Sequence, residues 1–80
     1  MLVTVRLFAR LREIAGADLQ VEVPEGARVR DVWSALASQH PGVAPYEAAV
    51  SCAVNADYSK MSAHVHEGDE IAFLPPVSGG

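Results

Sequence analysis

Cysteine is almost absent from this sequence, since Cys52 is the only one among 80 residues. One cysteine cannot form an intramolecular disulfide, a Cys-x-x-Cys redox pair or a cysteine-based zinc site. A lone free thiol suits a reducing compartment, so we expect a cytoplasmic protein. Within the strand predicted around it, Cys52 is expected to be a small buried apolar residue rather than a nucleophile.

Long apolar runs and an excess of basic residues are missing as well. The opening segment MLVTVRLFAR is interrupted by Thr4 and Arg6, and no stretch approaches the roughly 20 apolar residues of a membrane-spanning helix. The net charge is −4 and the pI is near 5.1. The chain therefore has no excess of positive charge with which to attract a phosphate backbone. We therefore expect neither a membrane nor a nucleic acid as a partner.

The residues that are present indicate a small folded domain. Half are apolar and a fifth are charged, as in ordinary globular proteins. An apolar stripe with helical spacing from Val29 to Ala37 predicts the main helix, which His40-Pro41-Gly42 should end. A shorter helix is expected at 9–15, closed by Gly16. Alternation and β-propensity predict strands at 2–8, 19–23, 52–56, 63–65 and 70–74.

The connections between these elements carry weaker signals. Arg28 stands where a Ser, Thr, Asp or Asn cap is expected to open the main helix. Residues 43–50 are expected to form an irregular connection, and Asp57 with Tyr58 a turn. Glu67-Gly68-Asp69 predicts a turn before the last strand. One main helix beside four or more strands predicts a two-layer α+β domain that covers residues 1–74.

The tail, residues 75–80 with the sequence Pro75-Pro76-Val77-Ser78-Gly79-Gly80, differs from the rest of the chain. Its two prolines fix φ and remove two backbone donors, so the last strand should end before them. Its two glycines have no side chains and are poor material for a packed terminus. We predict an extended, flexible tail, about 20 Å long when stretched, that presents its terminal carbonyl carbon to a nucleophile. Taken alone, a terminal Gly-Gly is also explained by a frayed end.

Five segments carry a family resemblance that extends from residue 7 to residue 80. They are LFARLREIAG at 7–16, VWSAL at 32–36, HPG at 40–42, AVN at 53–55 and EGDEIAFLPPVSGG at 67–80. In these segments the chain resembles the small subunit of molybdopterin synthase, a ubiquitin-like sulfur carrier, and the last segment is the most specific. The departures are Arg28, where a small polar cap is often found, and Tyr58-Ser59-Lys60, which stands in a variable loop. Neither departure touches the tail.

The resemblance implies a β-grasp fold, with a mixed four- to five-stranded sheet packed on one main helix. It also implies a reaction cycle at Gly80. A ubiquitin-activating-type adenylyltransferase would consume ATP to form a glycyl-AMP intermediate, and a sulfur donor protein would convert it to a thiocarboxylate. In the large subunit of molybdopterin synthase, the tail would then give its sulfur to the cyclic pyranopterin precursor. No permanently bound cofactor is expected.

The resemblance and the alternation together suggest which residues meet a partner. Phe8 and Leu74 should lie off the core face, and Arg12 resembles a partner-contacting position. An apolar docking patch is therefore expected from Phe8, Leu74, Pro75, Pro76 and Val77. Because no Ser-His-Asp or Cys-His arrangement is evident, we assign the chain no catalytic site of its own.

Three other side chains invite a functional interpretation. His64 and His66 have metal-ligand spacing on a strand, but without a third ligand nearby they are expected to be a surface pair. Lys60 is a lysine that could accept a modification. Three alternative functions also remain: a sulfur carrier for thiamine or cysteine biosynthesis, a ubiquitin-like modifier joined to lysines, and a passive β-grasp interaction module with an inert tail.

Overall fold

The computed structural model describes residues 1–76. The tail positions Val77, Ser78, Gly79 and Gly80 lie outside these described residues. Within 1–76, both predicted helices and the strands expected at 2–8, 19–23, 52–56 and 70–74 are present, with bounds that differ by no more than two residues. The elements are β1 (Leu2–Leu7), α1 (Ala9–Ala15), β2 (Asp18–Glu22), α2 (Val29–Gln39), a 3₁₀ helix (Pro41–Tyr46), β3 (Ser51–Val54), β4 (Asp57–Ser59) and β5 (Glu70–Leu74).

The strands form one mixed sheet in the order β2-β1-β5-β3-β4. β1 pairs with β2 antiparallel and with β5 parallel, and β5 pairs with β3 antiparallel. The parallel pair aligns Val5 with Ile71 and Leu7 with Phe73. Because the two central strands are parallel, β1 and β5 both end at the same end of the sheet.

The core lies between one face of this sheet and the helices. The alternation predicted for β1 is confirmed, since Val3, Val5 and Leu7 are all buried. Trp33 of α2 packs edge-on against Phe73 of β5, with ring centroids 4.9 Å apart and planes at 71°, a favoured aromatic arrangement. The other large buried side chains are Leu11, Val21, Val29, Val32, Leu36, Val43, Val65 and Ile71.

At the start of α2, Asp31 takes part of the role that the side chain of a capping residue at position 28 would have. A guanidinium has no acceptor for the free N–H groups of a first helical turn. Instead, Asp31 reaches back, and its Oδ2 accepts a 2.8 Å hydrogen bond from the backbone N–H of Arg28. This is the half of a capping box that an acidic third residue supplies, and the Asp31 charge also suits the positive end of the helix dipole.

The expectation of an irregular connection after α2 is wrong for its first part. Residues Pro41–Tyr46 form a 3₁₀ helix that contains Pro45. The φ that proline imposes is compatible with 3₁₀ geometry, and Val43 is fully buried. The segment is therefore ordered by a core contact that no periodicity could reveal over six residues.

The turn expected at Asp57 and Tyr58 is also wrong, because both residues belong to β4. The turn lies two residues earlier, at Asn55 (φ 49°) and Ala56 (φ 73°). Positive φ at both positions is what a two-residue hairpin needs. Asparagine tolerates this conformation, but alanine rarely adopts it. The sequence therefore carries no clear signal for a hairpin at these two residues.

The strand expected at 63–65 is reduced to a single bridge between His64 and Arg28. The backbone of this segment pairs with the start of α2 instead of with the sheet. Val65 N–H donates to Ala27 O at 3.0 Å, and Ala63 O accepts from Val29 N–H at 2.9 Å. Among the residues described, no helix has the length and hydropathy that a membrane span requires.

Gly42 is required by a close approach between the 3₁₀ helix and α1. A Cβ at this position would lie 2.9 Å from Ile14 Cγ2, and isoleucine has little χ1 freedom with which to move away. We expect Gly42→Ala to lower the free energy of unfolding by roughly 1–3 kcal/mol, as measured by urea denaturation. The double variant Gly42→Ala/Ile14→Ala should lose less than the two single changes combined. Strict additivity would contradict this contact.

Candidate functional site

The tail leaves the sheet at the end where β1 and β5 both terminate. The Leu7–Phe73 pair is the last of their register, so Phe8 and Leu74 follow it on neighbouring chains. Phe8 is 40% exposed and Leu74 is half-buried. β5 ends at Leu74, after which Pro75 is half-buried and Pro76 exposed. We call Phe8, Leu74, Pro75 and Pro76 the tail-exit surface.

A sharp bend keeps Phe8 at this surface. Phe8 is extended (φ −130°, ψ 157°), and the next residue, Ala9, has φ 50°, a left-handed conformation that costs a non-glycine residue about 1 kcal/mol or more. The bend turns the chain directly from β1 into α1. The side chain of Phe8 therefore lies at the strand end while Leu11, three residues later, is already in the core.

The sheet face away from the helices continues from the tail-exit surface. Register alignment places Arg6, Ala72, Ala53 and Tyr58 side by side across four strands on this face. The two central side chains are only methyl groups, and Tyr58 at the edge is 80% exposed. We call these four residues the uncovered face. The sequence does not identify Tyr58 as a residue of this face. Its side of the sheet follows only from the position of the Asn55–Ala56 hairpin.

The three arginines near this end differ in their ion pairs. Arg6 lies 3.2 Å from Asp18 and 3.8 Å from Glu70, and Arg10 lies 3.4 Å from Glu13. Within residues 1–76, Arg12 of α1 has no carboxylate at ion-pair distance, and it is exposed. Its charge is thus available to a partner, at the end of the sheet from which the tail departs.

The opposite end of β5 is fixed by a hydrogen-bonded turn. Asp69 accepts from Asn55 Nδ2 at 3.0 Å and from the His66 backbone N–H at 2.8 Å. The hydrogen bond from Asn55 is the main cause that lowers the pKa of the Asp69 carboxyl below its ordinary value. The predicted turn at Glu67-Gly68-Asp69 is confirmed, and the role of Asp69 is to position β5.

The two histidine rings, His64 and His66, contact different groups. His64 Nδ1 lies 3.3 Å from Gly26 O, and His66 Nδ1 lies 3.7 Å from Asp69. Both side chains are exposed. In the described part of the chain, no group of three His, Cys, Asp or Glu residues is arranged to hold a metal ion.

Known proteins resemble this chain over nearly its whole length. The model of the ThiS family matches residues 5–80, a segment that includes the terminal glycines. The chain belongs to the ThiS family. The molybdopterin synthase sulfur carrier subunit of Arabidopsis thaliana is 37% identical over 98% of this chain and 82% of that protein. The resemblance expected from the sequence is confirmed.

Solved structures of similar proteins give the same fold. The crystal structure of SAMP1 from Haloferax volcanii superposes with a TM-score of 0.90 at 29% identity and covers all of both chains. The crystal structure of the BexX/CysO complex of Amycolatopsis orientalis contains a chain with a TM-score of 0.71 at 28% identity, covering 98% of this chain and 99% of that one. The mixed five-stranded sheet with its main helix is a β-grasp fold, as predicted.

Cys52 is aligned with Phe73 of β5, but it is only 4% exposed. Its Sγ donates to Ser59 O at 3.1 Å, and burial raises the pKa of the thiol. Because the thiolate is the reactive form, alkylation should be slow in the native state. We expect iodoacetamide to modify native Cys52 at least about tenfold more slowly than the urea-unfolded chain, as followed by intact mass. Equal rates would show that the thiol is accessible and reactive.

Proposed function

We propose that this ThiS-family chain is the sulfur carrier of a molybdopterin synthase. In this proposal the Gly80 carboxylate is adenylated, converted to a thiocarboxylate and used to deliver sulfur to the cyclic pyranopterin precursor. The observation that carries the proposal is that β5 ends at the partly exposed, apolar tail-exit surface and is followed by the segment Pro75-Pro76-Val77-Ser78-Gly79-Gly80. The similarity of the chain to a sulfur carrier subunit over 98% of its length supports it.

The chemistry explains why a glycine should stand last. A carboxylate is a poor acyl donor, whereas its mixed anhydride with AMP has a good leaving group. Attack by sulfur on the carbonyl carbon of Gly80 releases AMP and leaves a C–S bond, and the absence of a Cβ leaves the trajectory open. ATP is thus a substrate of the activating enzyme, a ubiquitin-activating-type adenylyltransferase, and the sulfur comes from a donor protein.

General acids and bases for these steps must come from the partners. The described residues at the tail-exit surface are Phe8, Leu74, Pro75 and Pro76, and none of them can transfer a proton. Arg12 supplies charge for docking rather than proton transfer, because a guanidinium stays protonated. The chain therefore acts as a protein substrate of its partner enzymes, and no catalytic role is assigned to it alone.

The docking partner we propose is the large synthase subunit. The tail-exit surface and the uncovered face together offer the aromatic side chains of Phe8 and Tyr58, and aromatic residues are enriched at interface centres. Arg12 would pair with an acidic residue at the rim. Support comes from a related carrier-like chain that was crystallised in a complex, the BexX/CysO complex of Amycolatopsis orientalis.

A second candidate function is a ubiquitin-like modifier that is joined to lysines of other proteins. The high structural similarity to SAMP1 favours it, and the activation chemistry at Gly80 is the same. A pull-down separates three functions: the synthase carrier, a carrier for another sulfur pathway and the modifier. Recovery of a pterin-binding subunit supports the synthase, a partner of thiamine or cysteine biosynthesis supports another sulfur pathway, and isopeptide-linked conjugates support the modifier.

The proposal is tested by intact mass spectrometry of the chain after incubation with its activating enzyme, ATP and a sulfur source. We expect the mass to rise by the difference between sulfur and oxygen, with the change located on the peptide that contains Gly80. The control omits ATP and should show no shift. If the mass never changes although the activating enzyme is shown to be active on another carrier, the proposal is wrong.

Docking at the tail-exit surface is tested by a matched pair of variants. Phe8 and Leu2 are 40% and 42% exposed at opposite ends of β1, so replacing either by serine should change the free energy of unfolding by less than about 1 kcal/mol. We expect Phe8→Ser to raise the Kd for the large subunit at least tenfold, roughly 1.4 kcal/mol, as for an aromatic anchor. Leu2→Ser should leave the Kd within about twofold of the unchanged chain. Equal Kd values for both variants, measured by calorimetry, would contradict this surface.

A further inference from the structure

Trp33, the only tryptophan in the sequence, carries a polar atom that the described part of the fold leaves without a partner. The residue is 1% exposed, and its ring packs edge-on against Phe73. Among residues 1–76, no acceptor lies within hydrogen-bond distance of the buried Nε1. Buried indole N–H groups usually find an acceptor, because an unpaired one loses the hydrogen bond that water gives it in the unfolded chain. Trp33 Nε1 is therefore a donor that a ligand could satisfy.

A cleft with a volume of about 440 Å³ lies beside this ring. Trp33 shares its wall with Arg30 and Asp31 of α2, with Glu47 just after the 3₁₀ helix, and with Met61. Because α2 covers the core face of the sheet, the cleft lies on the opposite side of the sheet from the uncovered face. Its volume is at the lower end of the range for small-molecule sites. An occupant would have about the size of a dipeptide.

The charged side chains of the cleft are not equally available. Arg30 and Glu47 are both exposed, and neither has an oppositely charged group of the described residues at ion-pair distance. Asp31 differs, because its carboxylate already accepts from the Arg28 backbone N–H at 2.8 Å. The cleft thus offers one cation, one carboxylate and one buried N–H donor. A dipeptide carries the three complementary groups, which are a carboxylate, an ammonium and a peptide carbonyl.

Met61 is the residue placed to cover the indole. The other residues that line the cleft beside Trp33 are exposed, whereas Met61 is partly buried and packs against the core. Its backbone is fixed to α2, since Met61 O accepts from Arg30 N–H at 2.9 Å. Its side chain is unbranched, has three rotatable bonds and adapts readily to a new neighbour. Met61 is thus the part of the wall that can move without a shift of the helix.

We propose that this cleft binds a zwitterionic dipeptide with apolar side chains. The ligand carboxylate pairs with Arg30, and its ammonium pairs with Glu47. Met61 changes rotamer to lie against an apolar side chain of the ligand, and the peptide carbonyl oxygen accepts a hydrogen bond from Trp33 Nε1. The site goes beyond the proposed sulfur-carrier function and does not depend on it, because none of its residues belongs to the tail, the tail-exit surface or the uncovered face.

The test is an NMR titration of the full, ¹⁵N-labelled chain with the dipeptide leucyl-leucine. Trp33 gives the only indole N–H signal, because the sequence has one tryptophan. We expect this signal to move to lower field and to saturate, with a Kd below about 1 mM. N-acetyl-leucyl-leucine lacks the ammonium and leucyl-leucine amide lacks the carboxylate, so each should bind at least about threefold more weakly.

A matched pair of variants locates the contact with the ammonium. Glu47→Gln and Glu22→Gln each remove one negative charge from an exposed glutamate, so both change the net charge equally. Glu22 lies in β2, outside the cleft. We expect Glu47→Gln to raise the Kd for leucyl-leucine at least about threefold, and Glu22→Gln to leave it within about 1.5-fold of the unchanged chain.

Three results would overturn the site. The first is an indole signal that stays in place up to about 10 mM leucyl-leucine. The second is equal binding of the free and the blocked dipeptides, since the two charge pairs would then contribute nothing. The third is the same Kd for Glu47→Gln and Glu22→Gln. None of these results bears on the carrier function, which is tested separately by the mass of the chain.

Discussion

The parallel pairing of β1 with β5 is the constraint on which the rest of this molecule depends. It aligns Val5 with Ile71 and Leu7 with Phe73, so that four buried side chains fix the register of the first and last strands. A shift of one residue would turn these side chains to the other face and expose them. Because the strands run the same way, the end of β1, the bend into α1 and the departure of the tail meet at one place.

The two faces of the sheet differ in what covers them. The helices cover one face and build the core, in which Trp33 packs on Phe73, whereas the other face is left with Ala53, Ala72 and the exposed Tyr58. Substitutions on the covered face cost core packing. In the proposed function, a substitution of exposed Tyr58 on the uncovered face is expected to act mainly on binding. In the proposed function the chain docks on several partners in turn, and this division lets its interface change without loss of core packing.

Much of the fold was predictable because it follows simple periodicities. The alternation in β1 and β5 and the stripe of α2 identified the central strands and the main helix. The misses have local causes: the left-handed Asn55–Ala56 hairpin lacks a glycine, and the 3₁₀ helix at Pro41–Tyr46 is held by buried Val43. Phe8 and Leu74 were named as candidate site residues from alternation and resemblance. The place of Tyr58 on the uncovered face follows from the register of β3 with β4 and β5, which a sequence does not state.

The central claim is that a stable β-grasp body docks while a separate terminus reacts. The most direct measurement compares the full chain with a chain that lacks Gly79 and Gly80, for thermal unfolding, for affinity toward the large subunit and for acceptance of sulfur. The account predicts an unchanged Tm, a Kd within about tenfold of the full chain because the docking surface is intact, and no sulfur accepted. A shortened chain that fails to fold, or one that still accepts sulfur, would contradict it.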